Sequence, residues 1–219
     1  MSYELTLNQL PDPDTTPPGP GFVSQQITDN TPGMIHTLNN GGSVSVKFSG
    51  SNWEIQIGYP QLTIAEANTI IPFVYSLQGG FTNFYVQLPT YARNSQDPRY
   101  WGATSIVADD VSTGTNSNQI DIANWANRGS GNELAVGDMI KLDTHSKIYL
   151  ITGALVTAGV MTLTLNCDRA ISSTEIGAAT IEPNDIKFRV RLKGTPPAFN
   201  LTADGLYEGF TLSMRENII

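Results

Sequence analysis

At 219 residues, with 40% hydrophobic and 15% charged side chains, the chain is long enough to bury a core and too apolar to be a disordered tail. Twenty glycines and the low charge favour a β-rich fold, because turns consume glycine and strand faces take Thr, Ser and Val. A formal charge of -8 disfavours a nucleic-acid binder, the single Cys167 excludes an intrachain disulfide, and no apolar run approaches the ~20 residues of a membrane span.

Residues 1 to about 33 are polar and broken by proline, at Pro11-Asp12-Pro13, Pro17-Pro18-Gly19-Pro20-Gly21 and Thr31-Pro32-Gly33. Met1-Ser2-Tyr3-Glu4-Leu5 lacks the basic and apolar regions of a secretory signal. Prolines at this density do not join central strands, so an arm is predicted, with short edge strands at Tyr3 to Leu7 and Phe22 to Ile27. Chain ends commonly fray, but apolar Phe22, Val23 and Ile27 are better explained by an arm ordered on a neighbouring subunit, which makes them candidate inter-subunit contacts.

Ser43 to Ser49 alternates, with Val44, Val46 and Phe48 against Ser45 and Lys47. The three-residue link Gly50-Ser51-Asn52 then predicts a hairpin into the next strand. There Trp53, Ile55, Ile57 and Tyr59 share one face and Glu54, Gln56 and Gly58 the other. Thr63-Ile64-Ala65-Glu66 has the form of a capping box. Ile64, Ala67, Ile70, Ile71, Val74 and Leu77 make the apolar stripe of a helix lying on a core, and Gly79-Gly80 ends it. Pro72 interrupts the pattern and predicts a kink or two short helices. Phe81 to Leu88 follows as a strand with Phe84, Val86 and Leu88 on one side.

From Gly102 polar turns such as Ser112 to Asn118 and Arg128 to Asn132 separate short predicted strands at Thr104 to Ala108, Gln119 to Ala123, Asp138 to Leu142, Lys147 to Val156 and Val160 to Cys167. Such close strands without a helical pattern between them imply a small barrel or sandwich, with Ala158-Gly159 a tight turn. Phe188, Val190 and Leu192 then face one way, and Phe210, Leu212 and Met214 repeat the pattern. Two lone strands make no domain, so they are expected to complete the sheet begun at Ser43. The predicted architecture is mainly β: residues 1-102 plus 184-219 form an antiparallel sandwich or split barrel with one helix. Residues 103-183 form an inserted small OB-like β-barrel.

Motifs for catalysis and cofactors are missing. His36 and His145 belong to no HxxxH, HExxH or CxxC pattern, and there is neither a GxSxG elbow nor a GxxxxGK[ST] loop. Asp109, Asp110 and Asp121 do not have EF-hand spacing and read as solvated turn carboxylates, and Asn200-Leu201-Thr202 is a sequon by chance. No enzyme activity, cofactor or metal is expected. Tyr91, Tyr100, Trp101 and Trp125 gather near the start of the insertion. Packing accounts for them, with sugar stacking by Tyr100, Trp101 and Trp125 as the alternative, which would make the inserted barrel a carbohydrate-binding adhesin module. Lys187, Arg189, Arg191 and Lys193 share a strand face at about 7 Å intervals. A solvated face is one reading of this stripe. The other is pairing with carboxylates of an adjacent subunit.

Trp53-Glu54-Ile55-Gln56-Ile57, Leu62 with the helix Thr63 to Leu77, and Gly79-Gly80-Phe81-Thr82-Asn83-Phe84-Tyr85 together resemble the distal tail protein family of tailed bacteriophages. So do Leu134 to Leu142 followed by Lys147 to Ile151, and the closing Tyr207 to Met214; the likeness spans about two thirds of the chain. Pro72 within the helix and Gln78, where a basic residue is common, depart from the pattern. The resemblance implies a virion protein made in the host cytoplasm. It would be a homo-oligomeric ring, usually of six, that joins the tail tube to baseplate, fibre or hub proteins and passes DNA through its lumen without reading its sequence.

Overall fold

The computed structural model describes residues 8–14, 18–47, 50–91, 111–114, 116, 118–125, 134–166, 180–184 and 186–218. The expected strands at Tyr3 to Leu7 and Thr104 to Ala108 lie outside them, as do Asp109, Asp110, Tyr100, Trp101 and Cys167. The chain divides into two units. One draws on the chain up to Asp29, on Trp53–Leu88 and on Lys187–Ile218, and the other on Asn30–Asn52 and Pro89–Ile186.

The first unit is a five-stranded sheet with a helix on its apolar face. Strands β1 (Ser24–Asn30), β4 (Asn52–Gly58), β5 (Phe84–Gln87), β12 (Lys187–Leu192) and β13 (Thr211–Glu216) lie in the order β1-β4-β13-β12-β5. The closing strands thus rejoin the sheet of Trp53: Leu212 is opposite Ile57 and Met214 opposite Ile55, while Val190 is opposite Phe84. Period-two alternation puts Trp53, Ile55, Ile57, Phe84, Val86, Phe188, Val190, Leu212 and Met214 on the buried face. Each of these buried side chains contributes roughly 1.5–3 kcal/mol. Helix α1 (Ile64–Ser76) buries Ala67, Ile70 and Val74, and Phe73 meets Phe84 edge-on at 5.5 Å between centroids. Its N-terminus has the predicted box: Thr63 Oγ1 accepts from the Glu66 amide at 3.4 Å and Glu66 accepts from the Thr63 amide at 2.8 Å.

One helix runs through Pro72 rather than two. Pro72 and Asn68, whose carbonyl loses its i+4 donor, are both exposed, so the proline stands on the solvent side of the helix rather than against the sheet. A short 3-10 turn, Gln78–Gly80, follows. Gly80 has φ +96°, and a Cβ there would stand 2.6 Å from the Leu192 carbonyl oxygen, so glycine is required for the chain to turn against β12.

Residues 8–10 of the N-terminal arm are held by their own chain. Leu10 donates to the Tyr85 carbonyl at 2.8 Å and Tyr85 to that of Asn8 at 3.0 Å, so residues 8–10 cover the outer edge of β5 and Leu10 is buried.

In the second unit the strand at Ser43 departs from expectation. β2 (Gly33–Thr37) and β3 (Ser43–Lys47) pair with each other, Met34 opposite Val46 and His36 opposite Val44, and form a separate two-stranded sheet. β3 does not pair with β4, whose neighbours are β1 and β13. The turn Leu38 to Gly42 closes the hairpin, with Gly41 at φ +79° and the Gly42 amide donating to Asn40 Oδ1 at 3.0 Å.

The other strands of this unit are β6 (Val111–Thr113), β7 (Gln119–Ile122), β8 (Met139–Leu142), β9 (Ile148–Thr157), β10 (Val160–Leu165) and β11 (Ile181–Glu182). They form one antiparallel sheet in the order β11-β8-β9-β10-β7-β6. The ten residues of β9 serve two partners, Ile148 to Leu150 pairing with β8 and Ile151 to Thr157 with β10, and a register shift at Thr164/Leu165 marks the bend. The sheet curls into a half-barrel around Ile120, Ile122, Ile140, Leu142, Tyr149, Ile151 and Leu163. Ala158 and Gly159, at φ +51° and +82°, turn the β9-β10 hairpin as predicted. The fold is therefore mainly β and antiparallel, with one helix among the described residues.

Candidate assembly surfaces

Alternation that buries Phe188, Val190 and Leu192 turns Lys187, Arg189 and Arg191 to the outer face of the first unit's sheet, with Lys193 just beyond the strand. The structure thus brings together the stripe singled out above and adds Arg215, which stands opposite Arg191 on β13 and opposite Glu54 on β4. Glu54 binds two cations, Lys193 Nζ at 2.8 Å and Arg215 Nη2 at 2.7 Å. Hydrogen bonds from Lys193 and then Arg215 hold its carboxyl below the usual carboxylate range. Arg189 donates to the Asn217 carbonyl at 3.1 Å. On the opposite, buried side of β13, Glu216 accepts from the Trp53 amide at 3.1 Å.

A second surface was not foreseen. On the β2-β3 hairpin Met34, Val44, Val46 and His36 share one face by register, with the His36 ring against the Met34 sulfur. Met34, Val44 and Val46 are 47%, 48% and 48% exposed, as is Leu38 at 46%, and Ile35 on the other face is 75% exposed. Two strands alone are marginally stable, and an uncovered apolar face is where partners bind. Asn40-Gly41 between apolar alternations was the available hairpin signal.

Of the arm candidates, Phe22 packs within its own chain, edge-on to Tyr59 at 5.5 Å. It begins an aromatic ladder that continues from Tyr59 to Phe210 at 4.9 Å, Phe199 at 4.9 Å and Tyr75 at 5.7 Å. Burial pushes the Tyr59 phenol well above its ordinary range. Val23 is 68% exposed and Ile27 half-buried on β1, the edge strand. Trp125 is half-buried against the half-barrel's core, its amide donating to the Gly159 carbonyl at 2.8 Å. Tyr100 and Trp101 lie outside the described residues. His145 meets the buried Tyr149 hydroxyl at 3.0 Å and His36 lies on the hairpin; no group of metal-ligating side chains occurs among the described residues. Among them, too, no helix is long and apolar enough to cross a membrane.

Residues 10–91, the segment from the arm through β5, match the family described as distal tail protein pb9, A domain, N-terminal. Over 215 residues the chain is 34% identical to distal tail protein pb9 of Escherichia phage T5, an alignment that covers 96% of this chain and all of the relative. The chain belongs to this family. It is a distal tail protein, a structural component of a phage tail, and its surfaces meet other tail components in the virion. The sheet, the helix and the hairpin of this distal tail protein all include residues of the matched segment.

Proposed function

We propose that the chain closes with copies of itself into a ring, six-membered as in the distal tail proteins it resembles. The ring joins the tail tube to baseplate or host-recognition components, with DNA passing through its lumen. The observation that carries this reading is the β2-β3 hairpin, which presents Met34, Val44 and Val46, each about half exposed, on one face with no core of its own among the described residues. Head-to-tail contacts, one surface of each subunit on a different surface of the next, close such rings.

The test is Val44→Glu with Val46→Glu. Both side chains are about half exposed, so the isolated chain keeps its circular dichroism and melting temperature. Light scattering should move from a multimer to the 23.7 kDa monomer, and negative-stain rings should disappear. A wild-type protein that stays strictly monomeric at high concentration overturns the ring.

A further inference from the structure

One directly opposed pair on the outer face of the first unit's sheet works against its stability. Arg191 and Arg215 stand directly opposite one another, and Glu54, next in the same row, is taken up by Arg215 and Lys193. Arg191 is exposed and makes no ion pair among the described residues. Like charges in directly opposed positions weaken a sheet; Glu54 compensates Arg215 but not Arg191, and a local rule broken at one residue in this way points to a functional surface.

The charge balance says what fits there. Lys187, Arg189, Arg191, Lys193 and Arg215 are five of the chain's twelve basic residues, and Glu54 is one of its twenty acidic ones. The face therefore carries a formal +4, and the rest of the chain -12. Two copies meeting through the same face would set cation against cation, and two meeting through the remainder would set anion against anion. Only a contact of this face with the acidic remainder of another copy is attractive, and that contact is head-to-tail.

We infer that the β12-β13 face docks on an acidic surface of a second copy of this chain, with Arg191 as the cation left for the neighbour's carboxylates. The inference rests on the ring reading and adds which surface meets the neighbour and by what chemistry. Duplex DNA is the other polyanion such a face would accept. The chain's overall negative charge makes it the weaker fit.

The experiment is Arg191→Glu. Opposite Arg215 a glutamate turns a repelling pair into an attracting one, so the isolated chain melts at the same temperature or higher. Assembly moves the other way: the concentration for half-assembly rises about tenfold or more, because like charges now face each other across the contact. A residue with a merely structural role would move both readouts in the same direction. Arg191→Lys retains assembly, and added salt weakens the wild-type ring. Mixed into wild type, the Glu variant still offers its acidic surface, so it caps open arcs and reduces closed rings. If Arg191→Glu does not fold, Arg191→Gln gives the same comparison with a smaller shift. Rings of Arg191→Glu at unchanged concentration overturn the inference and leave the ring reading standing, whereas a monomeric wild type overturns both. Intact rings with lost binding to a random-sequence DNA duplex also overturn it, and assign the face to nucleic acid.

Discussion

Glu54 is the residue on which the charge of the sheet's outer face turns. Its carboxylate is held below its ordinary pKa of 4.5 by the hydrogen bonds from Lys193 and Arg215. A carboxyl whose folded pKa is depressed contributes stability that is fully present above its unfolded pKa and is lost as pH falls through the folded value. The loss therefore belongs below pH 4.5, and it is small: the partners' side chains are 51% and 36% exposed, so solvent screens the network to about 1 kcal/mol or less. Glu54→Gln should lower the melting temperature slightly at pH 7 and 0.1 M salt, and the gap from wild type should close as pH falls below 4.5. A gap that stays constant with pH would mean that the side chain acts through packing rather than charge. Arg215, the bridging cation, escaped the sequence reading. It is separated from the stripe at Lys187 to Lys193 by a long loop, and only the antiparallel register of β12 and β13 sets it opposite Arg191.

Elements with local causes were legible. The capping box at Thr63 and Glu66, the stripe Ala67, Ile70, Val74 and Leu77, and the glycines at 79 and 80 each specify helix geometry from within a few residues, and α1 follows them. Thr63→Ala removes the acceptor for the Glu66 amide and should cost about 1 kcal/mol, read as a shift of the denaturation midpoint at unchanged slope. Strand pairing is different, because alternation says which face is buried and nothing about the partner. Val44 and Val46 alternate as cleanly as Ile55 and Ile57, yet the first pair lies on an open hairpin and the second in a core. Asn40-Gly41 is the local turn signal that pairs β3 backwards along the chain with β2. Of the two outcomes predicted at Pro72, a kink or two short helices, the second does not occur: α1 continues through Pro72, and both Pro72 and Asn68 are exposed.

At the scale of the whole molecule, two short apolar alternations near the C-terminus cannot bury themselves, which sends them to a sheet expected to begin at Ser43; they join the sheet of Trp53, and the Ser43 strand is not part of it. The same register makes a stronger statement. Gln87 and Lys187 are opposite residues of adjacent antiparallel strands, so the chain leaves the sheet at Leu88 and re-enters it at Lys187 only about one strand spacing away. A loop of about two to five residues spans such a gap. We propose on this ground that the first unit is an autonomous domain with the intervening chain as an insertion. Replacing Pro89–Ile186 with a short glycine-containing turn leaves all five strands, α1 and the arm at Asn8 to Leu10 in the product, about 120 residues with the core of Trp53, Ile55, Phe84, Phe188 and Leu212 intact. That protein should melt in one cooperative transition and bury its tryptophan fluorescence at Trp53, the single tryptophan it retains. Broad, non-cooperative melting with dye binding to exposed apolar surface would show instead that the sheet needs the removed segment to fold, and the insertion would have to be redrawn as part of the same cooperative unit.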